Sequence, residues 1–226
     1  SRGLGDVYKR QVQRREKEFR GPLLTLESQS PVSDFDVLAF SVSFEWDYTN
    51  IITLLRFSGI PIYADDRSSR FPLIVLGGAI SFLNPEPLAP FFDVVAAGEG
   101  EVLVPSLVSA VTNNSDRPAL LNQLAGERGF YVPSFYQVSY SKDGNIEKFE
   151  PKKDSAAPAT VSKAALRLTD KVDPPHTVVF TPDTEFGSRF LIEIVRGCAN
   201  LCRFCWAGYN LSLIHISEPT RRTPIS

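Results

Sequence analysis

Short apolar runs rich in β-branched residues recur along the first half of the chain. Three of them predict buried strands, at residues 36–43, 73–76 and 93–97. The segment between the first two runs repeats apolar residues at the spacing of an amphipathic helix, at Tyr48, Ile51, Ile52 and Leu55. A further helix is predicted at 101–111, after the third run. Strands that alternate with helices are typical of an α/β protein, so we expect a parallel sheet with helices on both faces.

The pattern changes after residue 118. A short helix is predicted at 119–124. Two alternating segments, 136–141 and 145–149, then flank Asp143-Gly144, a strong signal for a β-hairpin. Residues 150–158 are polar and rich in Pro, Ala and Lys, which indicates a linker. The last apolar run, 190–195, predicts a strand that continues directly into Arg196-Gly197-Cys198.

The two ends of the chain have no helical or strand period that continues into their neighbours. Residues 1–11 (SRGLGDVYKRQ) and 211–226 (LSLIHISEPTRRTPIS) resemble translated sequencing-adapter read-through. We expect both segments to be non-native and set them aside; genuine frayed termini are the alternative. The rest divides into an α/β domain at 12–130, a hairpin and linker at 131–185, and the start of a second domain at 186–210.

Composition narrows the possible classes of protein. The 226 residues are 43% hydrophobic and 22% charged, which is ordinary for a globular protein and wrong for a disordered one. The formal charge is −2, so no excess of basic residues indicates nucleic acid or an anionic membrane as a partner. No apolar stretch is long enough to span a bilayer, and no signal peptide is recognisable. We therefore expect a cytoplasmic, reducing compartment.

The three cysteines carry the clearest chemical signal. Cys198, Cys202 and Cys205 are spaced C-x3-C-x2-C within one loop. Soft thiolate ligands select iron–sulfur clusters or zinc, and three of them leave one metal coordination site open. Three other interpretations stay open. They are a disulfide, which the odd count disfavours, a structural zinc with His176 as fourth ligand, and buried unreactive thiols.

A strand that ends in Arg-Gly-Cys, followed by two further cysteines with an aromatic residue before the last, resembles the radical S-adenosylmethionine (SAM) superfamily. The resemblance implies that the three cysteines hold a 4Fe–4S cluster. It also implies that SAM chelates the open iron and is cleaved to a 5′-deoxyadenosyl radical. Phe204 matches the aromatic residue near the adenine, and Arg196 and Gly197 shape the entry to the loop. The family fold is a partial α/β barrel, of which this chain would contain only the start, so we expect the chain alone to be inactive.

The first half resembles the cobalamin (B12)-binding-like domain that precedes many of these enzymes. The resemblance rests on Ser41 and Ser43 at one strand end, Gly77-Gly78 at the next, and two later segments, 84–88 and 98–101. It implies a doubly wound, Rossmann-like sheet, with cobalamin near these four residues at the carboxyl ends of the strands. The Asp-x-His-x-x-Gly motif that supplies a cobalt ligand in many such domains is absent from the chain.

Two functions from different classes follow. The first is a radical SAM enzyme of unknown substrate, supplied with electrons by a flavodoxin or ferredoxin and assisted by cobalamin. The second is a non-catalytic corrinoid-binding or sensor module with a structural metal site.

Overall fold

A computed structural model describes residues 22–25, 28–166, 175–178, 180, 182, 187–198, 200, 202–205 and 214–215. Apart from 214–215, the two adapter-like ends lie outside these residues, as does part of the predicted linker. The chain forms two compact units, with one boundary between Ala164 and Ala165. The hairpin and the linker up to Ala164 belong to the first unit.

The first unit is built on a four-stranded sheet. Its strands are β1 (Val37–Ser41), β2 (Leu73–Gly77), β3 (Val94–Ala96) and β4 (Phe130–Tyr131). The first three are parallel, with Val37 opposite Leu73 and Val75 opposite Val94. β4 runs antiparallel to β3. The three predicted strands and the α/β class are therefore confirmed.

Helices cover both faces of this sheet. They are α1 (Tyr48–Phe57), α2 (Ile80–Leu83), α3 (Gly100–Asn113) and α4 (Arg117–Gly126), with short 3-10 turns at Val32–Asp34, Glu45–Asp47, Ala64–Asp66, Ala89–Phe91 and Pro133–Phe135. Successive strand residues point to opposite faces. Ile74 and Leu76 therefore pack with α1 and α2, whereas Leu73 and Val75 pack with α3 and α4.

The strands lie in the sheet in chain order, β1-β2-β3-β4. A doubly wound sheet is defined by a reversal of strand order, which creates its ligand-binding crevice. No such reversal occurs among the strands that the structure describes. The Rossmann-like parallel arrangement is observed, and the doubly wound order stays a prediction.

The amino ends of the strands are closed by a buried ionic cluster. Asp93, just before β3, accepts hydrogen bonds from the backbone N–H of Ile74 at 2.7 Å and from Arg117 Nη1 at 3.1 Å. Arg67 Nε lies 3.4 Å from Asp93 Oδ2, the oxygen that also accepts the Ile74 N–H. The remaining guanidinium nitrogens donate to backbone carbonyls, Arg67 to Pro61, Ile62 and Phe91, and Arg117 to Phe71 and Pro72. This cluster therefore joins the connection between α1 and β2, the residues just before β3 and the start of α4 at one end of the sheet.

The predicted hairpin is confirmed as β5 (Tyr136–Tyr140) and β6 (Ile146–Pro151). Gly144 adopts φ +80° in its turn, and its N–H donates to Ser141 O at 3.0 Å. The hairpin is mostly exposed, but Tyr136 is buried in the same cluster as α1. This anchor attaches the hairpin to the sheet.

The second unit contains β7 (Val195–Arg196), paired antiparallel with β8 (Ile214–His215). The strand predicted at 190–195 is wrong in extent, because only its last residue lies in β7. Ile192 makes an isolated bridge to His176, and the apolar side chains around it are exposed. A strand requires backbone partners as well as apolar residues, and few such partners lie in the described part of this unit. No helix of the described residues has the length and apolar character to cross a membrane.

Candidate functional site

The cysteine loop begins where β7 ends. Gly197 adopts φ +87°, a backbone conformation that favours glycine and that turns the chain from the strand into the loop. The N–H of Cys205 donates to Cys202 O at 3.0 Å, so these two cysteines open and close a single turn. All three cysteines are free thiols and partly buried. The disulfide interpretation therefore has no support in the structure.

The residues that flank the cysteines are placed differently from one another. Arg196 makes a bidentate ion pair with Glu193, with Nε and Nη2 at 2.8 and 2.6 Å from its carboxylate oxygens. This pair braces the entry to the loop. Phe204 is 92% exposed, so its ring is open to solvent in the turn between Cys202 and Cys205. The adenine contact expected near Phe204 stays a prediction.

The three cysteines have the donor chemistry of a metal site, but their side chains are not gathered around a common point. Among the residues that the structure describes, no three His, Cys, Asp or Glu side chains come together as a metal-binding group. The donor set nevertheless fits an iron–sulfur cluster, because it consists of three free thiols within eight residues. The assignment of Cys198, Cys202 and Cys205 as cluster ligands therefore still rests on their spacing.

The structure brings the four predicted residues of the first unit together at the carboxyl ends of β1 and β2. Ser41 lies opposite Gly77 in the register, and the N–H of Val42 donates to Gly77 O at 2.9 Å. Ser41 and Ser43 are exposed. This edge of a parallel sheet is the usual place for a ligand.

Gly78 has a structural reason to be glycine. It adopts φ +85°, and a Cβ built there would lie 2.6 Å from both the N and the O of Val42. No such contact exists at Gly77, where the nearest atom would be Phe40 O at 3.8 Å. The glycine at 78 is therefore required by the close approach of the neighbouring loop, whatever ligand the edge binds.

Two aromatic residues at this edge escape the sequence analysis. Phe44 and Trp46 follow β1 directly and are 65% and 86% exposed. Large apolar side chains exposed near one another, at the edge of a parallel sheet where ligands bind, offer a candidate contact surface. The signal in the sequence is two large aromatic residues immediately after the predicted strand.

A small cavity was also missed. Its volume is about 220 Å³, and it is lined by β3, β4, the hairpin, the linker and residues that follow β2. The lining includes Ser81, Glu86, Val95, Tyr131, Tyr136 and Phe149. Burial, and then a hydrogen bond to Glu86, raises the pKa of Tyr131 well above its ordinary value. The lining residues are separated by up to 80 positions in the chain, so periodicity alone does not reveal the cavity.

The described residues therefore include a mostly parallel α/β sheet with an open carboxyl edge in the first unit and a loop of three spaced thiols in the second. A family model described as radical SAM proteins, N-terminal, matches residues 7–133, more than half of the chain. The chain belongs to this family.

A curated relative is similar over a larger part of the chain. It is the uncharacterized protein MJ0966 of Methanocaldococcus jannaschii, 29% identical over 187 residues. The match covers 80% of this chain and 32% of the relative. The chain therefore spans about a third of the length of this relative.

Proposed function

We propose that this chain is part of a radical SAM enzyme in which Cys198, Cys202 and Cys205 hold a 4Fe–4S cluster and SAM binds at the remaining iron. The observation that carries the proposal is the C-x3-C-x2-C loop directly after β7, in a chain that belongs to a radical SAM family. When bound, the cluster supplies the electron that cleaves SAM to a 5′-deoxyadenosyl radical. A flavodoxin or ferredoxin would deliver that electron.

The chain's own residues prepare the loop for this task. The left-handed backbone at Gly197 sets the direction of the loop, and the ion pair between Arg196 and Glu193 fixes its first residue. The turn from Cys202 to Cys205 brings the backbones of two of the three cysteines together. Partial burial of the thiols would limit access of water and oxygen to the bound metal.

Anaerobic reconstitution with iron and sulfide tests the ligand set on the full chain. We expect the unsubstituted chain and the control Asn200→Ala, an exposed position in the same loop, to take up the iron of one cubane. Cys202→Ala should lose most of that iron, because two thiolates do not hold a cubane. Full iron in Cys202→Ala would contradict the assignment. So would stoichiometric zinc without iron in the unsubstituted chain, the result expected of a structural metal site.

The catalytic part is tested in the longer protein that contains this chain. With the cluster in place, dithionite and SAM should yield 5′-deoxyadenosine. A fully loaded cluster that releases none would contradict the enzymatic proposal and leave the ligand assignment intact.

We further propose that the carboxyl edge of the first unit carries a cobalamin. The observation that favours this proposal is the pair of exposed rings, Phe44 and Trp46, beside Ser41 and Ser43, since such rings offer contact area to a broad planar ligand. The cavity of about 220 Å³ is too small for a corrin ring, so the ligand would lie over the edge. Residues 5–164 contain no histidine, so this unit supplies no imidazole to cobalt.

The corrinoid proposal is tested on the full chain with hydroxocobalamin. We expect a visible corrinoid spectrum that survives dialysis, and its loss in Trp46→Leu. Tyr63→Leu, an exposed ring before β2, is the control and should retain the spectrum. A spectrum that dialysis removes from the unsubstituted chain would indicate a cofactor-free domain.

A further inference from the structure

The cavity beside Tyr131 has a buried floor and an open rim. Ser81, Val95, Tyr131 and Tyr136 are buried, whereas Glu86 and Phe149 are exposed. The rings of Tyr131, Tyr136 and Phe149 lie against one another, with centroids 5.0 to 6.4 Å apart. The cavity is therefore a small aromatic pocket open to solvent on the side of Glu86.

Most polar groups of this pocket already have partners. The Ser81 hydroxyl donates to Gly78 O at 2.7 Å, and the Tyr136 hydroxyl donates to Pro158 O at 2.7 Å. These bonds leave the ring of Tyr136, rather than its hydroxyl, as the surface available to a ligand.

The charge of the pocket is negative. Glu86 is the charged residue of its lining, and it makes no ion pair within the part of the chain that the structure describes. The Tyr131 hydroxyl stays protonated, because burial and the neighbouring Glu86 carboxylate raise its pKa. The Glu86 carboxylate would repel an anion. A neutral apolar ligand would remove water from the carboxylate without offering it a partner, which is unfavourable.

We propose that this pocket binds a small organic cation, an amine or quaternary ammonium compound, between the aromatic rings and the Glu86 carboxylate. Aromatic rings attract such cations through their negative faces, and the carboxylate supplies the opposite charge. The volume equals about seven water molecules at roughly 30 Å³ each, which suits a compound of the size of choline. This site goes beyond the proposed radical chemistry and does not depend on the cysteine loop.

Calorimetric titration of the full chain tests the proposal with two probes of the same shape, choline and its uncharged analogue 3,3-dimethylbutan-1-ol. We expect choline to bind about tenfold or more tightly than the alcohol, equivalent to about 1.4 kcal/mol. Glu86→Gln should weaken choline binding by about the same factor. Glu147→Gln, an exposed carboxylate on β6, is the matched control and should bind as the unsubstituted chain does.

Three results would overturn the proposal. They are no detectable choline binding at millimolar concentration, equal binding of the two probes, and an equal loss in Glu86→Gln and Glu147→Gln. If Glu86→Gln fails to fold by circular dichroism, the contrast between the two probes on the unsubstituted chain decides the question by itself.

Discussion

The two ends of the same parallel sheet are built on opposite principles. At the amino end, Asp93 and Arg67 are buried and Arg117 is partly buried, and their side chains are bonded to each other and to neighbouring backbone. At the carboxyl end, Ser41, Ser43, Phe44 and Trp46 lie open to solvent. Both ends carry polar residues, but only the amino end uses them within the fold.

This difference assigns separate tasks to the two ends. A buried charge that loses its partner destabilises a protein strongly, so the amino end tolerates little change. Exposed side chains away from such clusters contribute little to stability, so the carboxyl end can change its residues to suit a ligand. Substitutions at the amino end should therefore unfold the first unit, and substitutions at the carboxyl end should affect binding.

The largest expected effect is that of Asp93→Ala. It leaves the Arg67 guanidinium buried without its carboxylate and removes the acceptor of the Ile74 N–H. We expect the free energy of unfolding to fall by about 3–5 kcal/mol, measured by urea denaturation of the full chain. Ser43→Ala at the opposite end is the control, with an expected change within about 0.5 kcal/mol. Equal losses in the two variants would remove the distinction between the ends.

The next largest effect is expected from Gly78→Ala. Gly78 lies at the carboxyl end of the sheet, yet the fold itself requires glycine there. The new Cβ would collide with the Val42 backbone at a residue whose φ is +85°. We expect a loss of about 1–3 kcal/mol in the same denaturation measurement. Gly77→Ala is the matched control, because its Cβ would meet only Phe40 O at 3.8 Å. A Gly78→Ala variant as stable as Gly77→Ala would contradict the close approach of Val42 as the reason for glycine at 78.

These contrasts show what the sequence could predict of the fold. The three buried strands and the hairpin follow from local signals, because a run of apolar residues and an Asp-Gly turn are each decided within a few positions. The strand predicted at 190–195 is wrong in extent because a local signal does not decide strand pairing. Pairing depends on distant backbone that residues 190–195 do not specify. The ionic cluster joins side chains 24 or more positions apart and has no local signature.

The candidate sites divide in the same way. The cysteine loop is visible in the sequence, because its ligands lie within eight residues and their spacing is itself the signal. The sequence places Gly78 after a predicted strand, but the contact with Val42 that requires glycine there is tertiary and could not be deduced from a Gly-Gly pair. The pocket at Glu86 assembles a loop, two strands, the hairpin and the linker, so only the folded chain reveals it.

The smallest effect at neutral pH is expected from Tyr131→Phe, which removes one hydrogen bond at the open end, about 0.5–1.5 kcal/mol. The pH dependence of the free energy of unfolding is a more informative test of Tyr131. Burial raises the pKa of both Tyr131 and Tyr136 in the folded chain above the ordinary 10.0. Above pH 10 the unfolded chain therefore releases protons that the folded chain keeps, and stability must fall as the pH rises.

The free energy of unfolding falls by up to roughly 1.4 kcal/mol per pH unit for each tyrosine that keeps its proton in the folded chain. Urea denaturation between pH 9 and 11 should show a steep loss in the unsubstituted chain and a shallower one in Tyr131→Phe, in which Tyr136 and Tyr48 still have raised pKa values. Tyr140→Phe, an exposed hairpin tyrosine, should leave the slope unchanged. If the slope in Tyr131→Phe equals that of the unsubstituted chain, the Tyr131 hydroxyl is not shielded from solvent. The interaction of Tyr131 with Glu86 at the pocket would then lose its support.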